Sequence, residues 1–409
     1  MRSALADRWR LLVAGALVAG SLLSGGCQDD EPYVAPAPTA SSDAVEPAAA
    51  SSTLDRLEAA LRRGDVDAAA DLGADDAASA HLRTVARNAT ILDLADLSFS
   101  YVTENGRVEP DGTWTATVTA TWRIGGFERT PARADVELAF ADDGARIAAI
   151  GGGPNRSPVW LGGETTVRRT DDVAVLVAGG ALPVRPLLAE AEEALVVARR
   201  VLGARADRLV VEVPASAAAL HAALGLPPGT YDAVAGVTTT ADGANVPGTP
   251  VHVFLNPEVF GPLDRVAAQV VVSHEAVHAV TDAPESGAEA WLVEGFADYV
   301  ALRDVDLPFA RTAGQIIAQV RDSGVPDALP SRVDLDSQAA HLGAAYESAW
   351  LVCVTLAEHG GEEALVAFYD AVLDGADLEQ ALREHVDWSL TDLTRAWQDK
   401  LRTLADARA

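Results

Sequence analysis

Apolar residues in the first part of the chain change from a helical to an alternating pattern. Leucines recur at helical spacing from Leu54 to Leu72, with polar residues between them. Four runs then alternate apolar and polar residues and are separated by short turns; they are residues 96–102, 113–124, 134–140 and 145–150. Alternation is typical of strands with one buried face, and short Gly-, Asn- and Asp-containing turns favour antiparallel hairpins. The pattern predicts that residues 53–152 form an α+β domain in which a helix lies beside a curved, cone-like antiparallel sheet.

The pattern changes after a Gly-, Pro- and Asn-rich break at residues 151–158. Two short apolar runs flank a longer helical stretch and indicate strand, helix and strand, and a further strand-like run follows; these are residues 171–179, 187–202, 207–214 and 251–257. Beyond Leu302, four segments have helical spacing, namely residues 308–320, 342–359, 362–373 and 389–404. We therefore expect a second domain over residues 165–409 with a mostly helical C-terminal half, which makes the whole chain α+β.

A helical segment in the middle of the chain carries polar residues on an apolar background. Valines and alanines surround His274, Glu275 and His278. The i, i+4 spacing places both imidazoles on one face of a helix, so that two ring nitrogens can meet one metal ion. Buried imidazole and carboxylate groups are costly unless they are paired or coordinated. Glu275 projects from the flank of that face, where a carboxylate can reach a metal-bound water.

A second helical segment, residues 291–302, offers the ligand that such a site still lacks. A catalytic zinc ion has three protein ligands and one open position, so a third residue must join the two histidines. Glu294 is the first candidate, and Asp282 is the alternative. Asp298 follows Glu294 by one turn and can accept a hydrogen bond from the distal ring nitrogen of a ligand histidine.

Together the two segments resemble a known family. H-E-x-x-H at residues 274–278 followed by W-x-x-E-G-F-A-x-Y at residues 291–299 resembles the gluzincin metallopeptidases, the group that contains thermolysin and the zinc aminopeptidases. The resemblance is close over residues 251–302 and loose over the rest of the C-terminal half. It implies a zincin-type metallopeptidase domain over residues 165–409.

The resemblance also implies roles for individual residues. One Zn²⁺ per chain is held by His274, His278 and Glu294, Glu275 is the general base, and Asp298 supports a ligand histidine. Two features differ from the family: the 15 residues between His278 and Glu294 are fewer than usual, and no G-A-M-E-N-like segment lies upstream. The second difference leaves endopeptidase and exopeptidase activity as alternatives.

Further parts of the cleft are expected from the same resemblance. In gluzincins the edge strand before the zinc helix pairs with the substrate backbone, which makes residues 251–257 the expected peptide-binding edge, with His252 facing the cleft or the solvent. The segment at residues 342–359 resembles the helix that closes the cleft, where a Tyr or His donates to the oxyanion. Tyr346 is the candidate and His341 the alternative, and simple packing is the other interpretation of Tyr346.

The first 52 residues have the pattern of an export signal and a tether. Arg2, Arg8 and Arg10 precede the apolar residues 11–23, and small residues lead to Cys27. We interpret residues 1–27 as a bacterial lipoprotein signal peptide in which Cys27 is acylated, with an ordinary cleaved signal or an uncleaved anchor as alternatives. Residues 28–52 are rich in Ala, Pro, Ser, Thr and acids, which predicts a disordered tether. The folded part would then lie on the extracytoplasmic side of the cell membrane, bound to it through the lipid.

Composition excludes some functions. The chain has 60 acidic and 31 basic residues and a net charge of −29, so nucleic acid is not an expected partner. Its two cysteines are Cys27 and Cys353, and the second lies in an apolar helical run, which is typical of a buried thiol. We therefore expect neither an intrachain disulfide nor a cysteine-based zinc site.

The first domain leaves a second function open. Its pattern resembles the helix-plus-cone domains of the nuclear-transport-factor type, in which Trp114 and Trp122 could line a ligand pocket, although aromatic residues at strand spacing are more often core. The leading hypothesis is a zinc metallopeptidase that hydrolyses a peptide or protein substrate at the outer face of the membrane. The alternative is a non-enzymatic, surface-binding lipoprotein whose zincin half is an inactive scaffold.

Overall fold

The computed structural model describes residues 45–407, apart from 245 and 247. The predicted signal peptide, Cys27 and most of the predicted tether lie outside the described residues. Helix α1 spans Pro47–Arg63, so the residues from Pro47 onward that we expected in the tether are helical. Thr53, Leu54 and Leu57 on this helix are fully buried, and the helix is therefore part of the folded core.

The first sheet is antiparallel, as the alternating pattern predicts. Its strands lie in the order β1-β2-β3-β4 and are β1 (Leu94–Asn105), β2 (Trp114–Ile124), β3 (Ala132–Ala141) and β4 (Arg146–Ile150). Helix α1, with α2 (Val66–Ala70) and α3 (Asp76–Ile91), packs against this sheet. Trp114 and Trp122 are each only 3% exposed, and Trp114 stacks on Phe140 with ring centroids 5.0 Å apart. Both tryptophans are packed in the apolar core.

The second sheet has five strands in the order β5-β6-β7-β9-β8. They are β5 (Thr165–Arg169), β6 (Val173–Ala178), β7 (Leu209–Val213), β8 (Gly236–Thr240) and β9 (Val251–Leu255). The three central strands are parallel, and β5 and β8 pair antiparallel to them. Strand β9 is therefore internal, and the expectation that it forms the peptide-binding edge is wrong. The strand at this edge of the sheet is β8, whose short Gly- and Thr-containing sequence lacks the mainly apolar composition of β6, β7 and β9.

The remaining helices pack on both faces of this sheet and form the C-terminal half. They are α4 (Val159–Gly162), α5 (Val184–Leu202), α6 (Ala217–Leu224), α7 (Pro257–Phe260), α8 (Arg265–Val280), α9 (Ala290–Leu302), α10 (Phe309–Thr312), α11 (Gly314–Ser323), α12 (Leu342–Gly360), α13 (Glu362–Leu373), α14 (Leu378–Val386) and α15 (Leu390–Asp406). Alternate residues of the central strands, such as Val175, Val211 and Val253, share one apolar core with α5, α8, α9 and α12. The α+β class and the mostly helical C-terminal half are confirmed.

The opposite face of the five-stranded sheet lies against the first part of the chain. Ala174, Leu176 and Val210 on that face share a core with Trp122 and Trp160. All described residues belong to one compact unit. The division into domains at residues 53–152 and 165–409 stays a prediction.

The connection between the two sheets is held by the buried side chain of Asn88 on α3. Its Nδ2 donates to the carbonyl oxygens of Trp160 and Gly163, at 2.9 and 2.7 Å. Its Oδ1 accepts a hydrogen bond from the Thr165 backbone at 3.2 Å. One amide therefore fixes the start of β5 relative to α3.

Within residues 45–407, no helix is long and apolar enough to span a lipid bilayer.

Candidate active site

Helix α8 presents two imidazoles to the same point. Asp264 caps its first turn by accepting from the backbone N–H groups of Val266 and Ala267, at 2.9 and 3.0 Å. One turn apart on this helix, the Nε2 atoms of His274 and His278 lie 3.0 Å from each other, with the two rings nearly perpendicular at 85°. Both side chains are largely buried.

Helix α9 brings Glu294 to the two histidines. Its Oε2 lies 3.2 Å from His274 Nε2 and 3.5 Å from His278 Nε2. Among the described residues, these three form the one set of at least three His, Cys, Asp or Glu side chains placed to share an ion. Asp282, the alternative third ligand, adopts a left-handed backbone conformation after the end of α8 and is not in this set.

Glycine at position 295 allows this approach of α9. A Cβ atom there would lie 2.2 Å from the carbonyl oxygen of Ala349 and 3.1 Å from Cys353 Sγ, both on α12. The two helices are therefore in backbone contact directly beside Glu294. The close packing limits where the Glu294 carboxylate can lie.

The donor set fits a zinc ion. Ligand atoms about 2.0–2.2 Å from a tetrahedral zinc lie about 3.3 Å from one another. The three atoms here are separated by 3.0, 3.2 and 3.5 Å. His274 Nδ1 donates to Asp298 Oδ1 at 2.7 Å, so in the neutral ring Nε2 is an acceptor that faces the acceptor oxygen of Glu294. Two acceptors at this distance repel each other unless a proton or a cation lies between them.

The electrostatics of the group show the same need for a positive charge. Burial lowers the pKa of His274, but the carboxylates of Asp298 and Glu294 outweigh it and raise the pKa well above the usual value. Burial raises the pKa of Glu294, but His278 and His274 outweigh it and lower the pKa far below the usual value. The carboxylate is therefore ionised, and the cluster stabilises one cation, either a proton or a metal ion.

Glu275 lies beside this group but is not part of the ligand set. Its side chain is buried, and the residue is only 7% exposed. Oε2 accepts a hydrogen bond of 2.6 Å from the hydroxyl of Thr238 on strand β8. The arrangement provides a fixed carboxylate on the residue next to His274, a position from which a carboxylate could act as a general base.

Tyr346 on α12 lies next to the two histidines, and His341 does not. The ring centroid of Tyr346 is 6.1 Å from that of His274. Burial raises the pKa of the phenol far above its usual value, and the charges of Glu294, Glu275 and Asp298 raise it further, so the hydroxyl stays protonated. His341 precedes α12, is exposed, and lines a separate cavity with residues such as Ile316 and Pro330. Of the two candidate donors, only Tyr346 lies beside the group formed by His274, His278 and Glu294.

Comparison with known proteins adds little to this geometry. No family model matches the chain, and no curated protein matches it. Among solved structures, the chain is similar to a two-domain M1 zinc metallopeptidase, crystallised as a variant bound to L-arginine, with 13% identity and a TM-score of 0.33. The match covers 78% of this chain and 62% of that one, so the chain spans less than two thirds of its length. A likeness of this degree carries no argument about family or activity.

His252, which we expected at the cleft or in solvent, is buried on the other face of the sheet. It is 1% exposed, with Nδ1 2.5 Å from Glu212 Oε1 on β7 and Nε2 2.6 Å from Glu128 Oε1, which follows β2. Burial lowers the pKa of the ring, but hydrogen bonds to the two carboxylates outweigh it and raise the pKa to about 10. The expectation was wrong because β9 is internal and its outer face is covered by the first part of the chain.

The sequence pattern did not identify Thr238 and Gly236, the residues of β8 that lie against Glu275. Both belong to a strand that the apolar pattern did not reveal. The available signal was the position of a β-branched threonine run shortly before a further strand, residues 238–240 before Val251.

Proposed function

We propose that this chain is a zinc-dependent peptidase with a metal site formed by His274, His278 and Glu294. The observation that carries the proposal is the convergence of three ligand atoms within 3.5 Å of one another, with a separate carboxylate, Glu275, on the adjacent residue. Bound at this position, zinc supplies Lewis acidity, which polarises a carbonyl group and lowers the pKa of a water molecule toward neutrality.

The residues of the chain provide the remaining chemistry. Glu275 accepts the proton of the attacking water and delivers it to the leaving amine. Asp298 accepts from His274 Nδ1 and so keeps the lone pair of Nε2 directed into the site. Tyr346 keeps its hydroxyl hydrogen and donates it to the oxygen on which negative charge develops.

Strand β8 is the proposed site for the substrate backbone. It is one of the two edge strands of the five-stranded sheet, and its inner neighbour is β9. An extended peptide can add to such an edge by main-chain hydrogen bonds. Because β8 also contacts Glu275 through Thr238, a peptide paired with it would lie beside the general base.

We also propose that the protein acts at the outer face of the bacterial cell membrane, anchored by acylated Cys27. The proposal comes from the basic, apolar and small-residue pattern of residues 1–27. Metabolic labelling with a fatty acid should mark the protein and not the Cys27→Ala variant. Equal labelling of both, or of neither, would contradict the anchor.

Metal content and hydrolysis test the peptidase. Purified protein should hold about one zinc per chain by elemental analysis and should hydrolyse casein or a peptide mixture. His274→Ala should lose the zinc, whereas His359→Ala, at an exposed position on α12, should keep it. Glu275→Gln should keep the zinc and lose hydrolysis by about 10²–10⁴-fold, with Glu289→Gln as the exposed control. A folded wild type that binds no added zinc, or full turnover by Glu275→Gln, would overturn the proposal.

The alternative of a surface-binding lipoprotein does not gain the ligand pocket that Trp114 and Trp122 could have lined, because both side chains are buried in the packed core. The zinc measurement separates the two functions, since a well-folded, metal-free protein is the outcome that the alternative requires.

A further inference from the structure

The side of strand β8 that faces helix α8 is built around the side chain of Glu275. Successive residues of a strand point to opposite faces, so Gly236 and Thr238 share one face and Val237 and Thr239 share the other. Both residues of the first pair contact Glu275. Val237 instead packs against the apolar cluster of Phe254 on the opposite face.

Gly236 leaves the space that the aliphatic part of Glu275 fills. A Cβ atom at this position would lie 2.9 Å from Glu275 Cγ and 3.1 Å from Glu275 Oε1. The glycine has no positive φ, so it is space and not backbone conformation that a side chain would violate here. A methyl group at position 236 would therefore clash with the side chain of Glu275.

Thr238 holds the other end of the same side chain. Its hydroxyl lies 2.6 Å from Glu275 Oε2 and 3.0 Å from the Glu275 carbonyl oxygen. A hydroxyl has one hydrogen to donate, and the shorter, charge-assisted bond to the carboxylate is the stronger of the two. Within the part of the chain that the structure describes, no other hydrogen-bond donor contacts this carboxylate.

We propose that Thr238 is the positioning residue for the general base, with Gly236 shaping the space in which the base lies. This inference rests on the proposed peptidase function. Strand β8 would then have two roles, because the edge that would pair with the substrate also orients the Glu275 carboxylate. Small displacements of a catalytic group cost much of its effect, so loss of the hydroxyl should slow the chemical step without weakening substrate binding.

Kinetics of three variants test this role. Thr238→Val keeps the shape and removes the hydroxyl, and we expect kcat to fall by about 10- to 100-fold with KM within twofold of the wild type. Thr238→Ser restores the donor and should recover most of kcat. Thr166→Val makes the same change at an exposed position on β5, the other edge strand of the sheet, and should leave both constants unchanged. An unchanged kcat in Thr238→Val, or a rise in KM alone, would overturn the inference.

A measurement on the metal-free protein keeps the inference separate from the proposed activity. Thr238→Val, Glu275→Ala and the double variant form a cycle whose urea midpoints report the coupling between the two side chains. We expect the double variant to lose less stability than the two single losses combined. If the stability losses are additive and the enzyme is active, the positioning role of Thr238 is overturned and the peptidase proposal is not. Coupling in a protein without hydrolytic activity would leave the contact intact and would contradict the peptidase instead.

Discussion

Tyr346 differs from the other proposed site residues because it acts through a hydrogen and not through a lone pair. Burial and the carboxylates of Glu294, Glu275 and Asp298 raise the pKa of the phenol far above its usual value, so the hydroxyl remains protonated and can donate. Its ring lies 6.1 Å from that of His274, on the helix that packs against α9. In the proposed reaction, this hydroxyl would stabilise the negative charge that develops on the substrate oxygen.

We expect Tyr346→Phe to lower kcat by about 10²–10³-fold, the cost of removing one oxyanion donor, with little change in KM. Steady-state kinetics on a peptide substrate check this. His341→Ala is the matched comparison, since His341 is exposed and lines a different cavity. The reverse pattern, with loss of activity in His341→Ala and not in Tyr346→Phe, would assign the donor to His341.

Local spacing predicted the part of the site that lies along helices. The i, i+4 relations of His274 with His278 and of Glu294 with Asp298 follow from the period of a helix, and the structure brings these four residues together. Thr238 lies 37 residues before Glu275 and reaches it through the pairing of β8 with β9. No period in the sequence encodes that relation, so the contact of Thr238 with the proposed general base could not be predicted.

At the scale of elements, the contact between α9 and α12 determines where Glu294, the proposed third ligand, lies. Gly295 follows Glu294 directly and places the two helix backbones in contact at Ala349. Interiors are packed closely, so an added methyl group at this point cannot be absorbed without moving a helix.

Gly295→Ala should therefore destabilise the protein by about 1–3 kcal/mol and should weaken zinc binding, because α9 must move with Glu294 on it. Thermal unfolding and competition with a chelator measure the two effects. Gly287→Ala is the control, since a Cβ there meets no atom within 4 Å and the backbone has no positive φ. Unchanged stability in Gly295→Ala would show that the two helices can separate freely.

The Glu128–His252–Glu212 contacts join the β2–β3 connection to the five-stranded sheet and should make stability depend on pH. The pKa of His252 is raised to about 10 in the folded protein, because the hydrogen bonds to both carboxylates outweigh its burial. The unfolded chain releases this proton near pH 6.5. The stabilisation is therefore complete below about pH 6.5 and is lost as pH rises toward 10.

We expect the urea midpoint of the wild type to fall between pH 7 and pH 10 more steeply than that of His252→Gln. The double variant His252→Gln with Glu212→Gln avoids leaving two unpaired buried carboxylates and should show the same shallow dependence. His359→Gln, at an exposed position, should retain the wild-type slope. Parallel pH profiles for all four proteins would contradict the raised pKa.

Element order was harder to predict than element type. The alternating runs gave the four strands of the first sheet, and the apolar spacing gave the mostly helical C-terminal half. The order β7-β9-β8 depends on which strand enters the sheet beside β7, a long-range choice that composition does not reveal. His252 was misassigned for this reason, since its surroundings depend on the strand order and on the part of the chain that covers β9.

At the scale of the whole molecule, the first part of the chain covers one face of the five-stranded sheet. Ala174, Leu176 and Val210 face Trp122 and Trp160, and the Asn88 amide holds the connection in between. A sheet of mainly parallel strands needs cover on both faces. Here α5 and helices of the C-terminal half cover one face, and the first sheet together with α4 and α6 covers the other.

We expect a fragment of residues 153–409 to be insoluble, or to unfold without a cooperative transition, because it exposes that apolar face. Removal of residues 1–44 alone should leave a soluble chain with the urea midpoint of the full protein. Solubility, circular dichroism and urea unfolding measure the difference. A soluble 153–409 fragment that unfolds cooperatively and binds zinc would show that the two parts fold independently.

The covered face also has a consequence for biosynthesis. The residues that cover this face of the five-stranded sheet are synthesised before the strands that they cover, since β1–β4 precede β6, β7 and β9 along the chain. During translation each new strand of the five-stranded sheet would meet a surface that is already made. Helices α8 and α9, which carry the candidate metal ligands, follow the strands of both sheets along the chain, so these ligands would come together only after both sheets have been made.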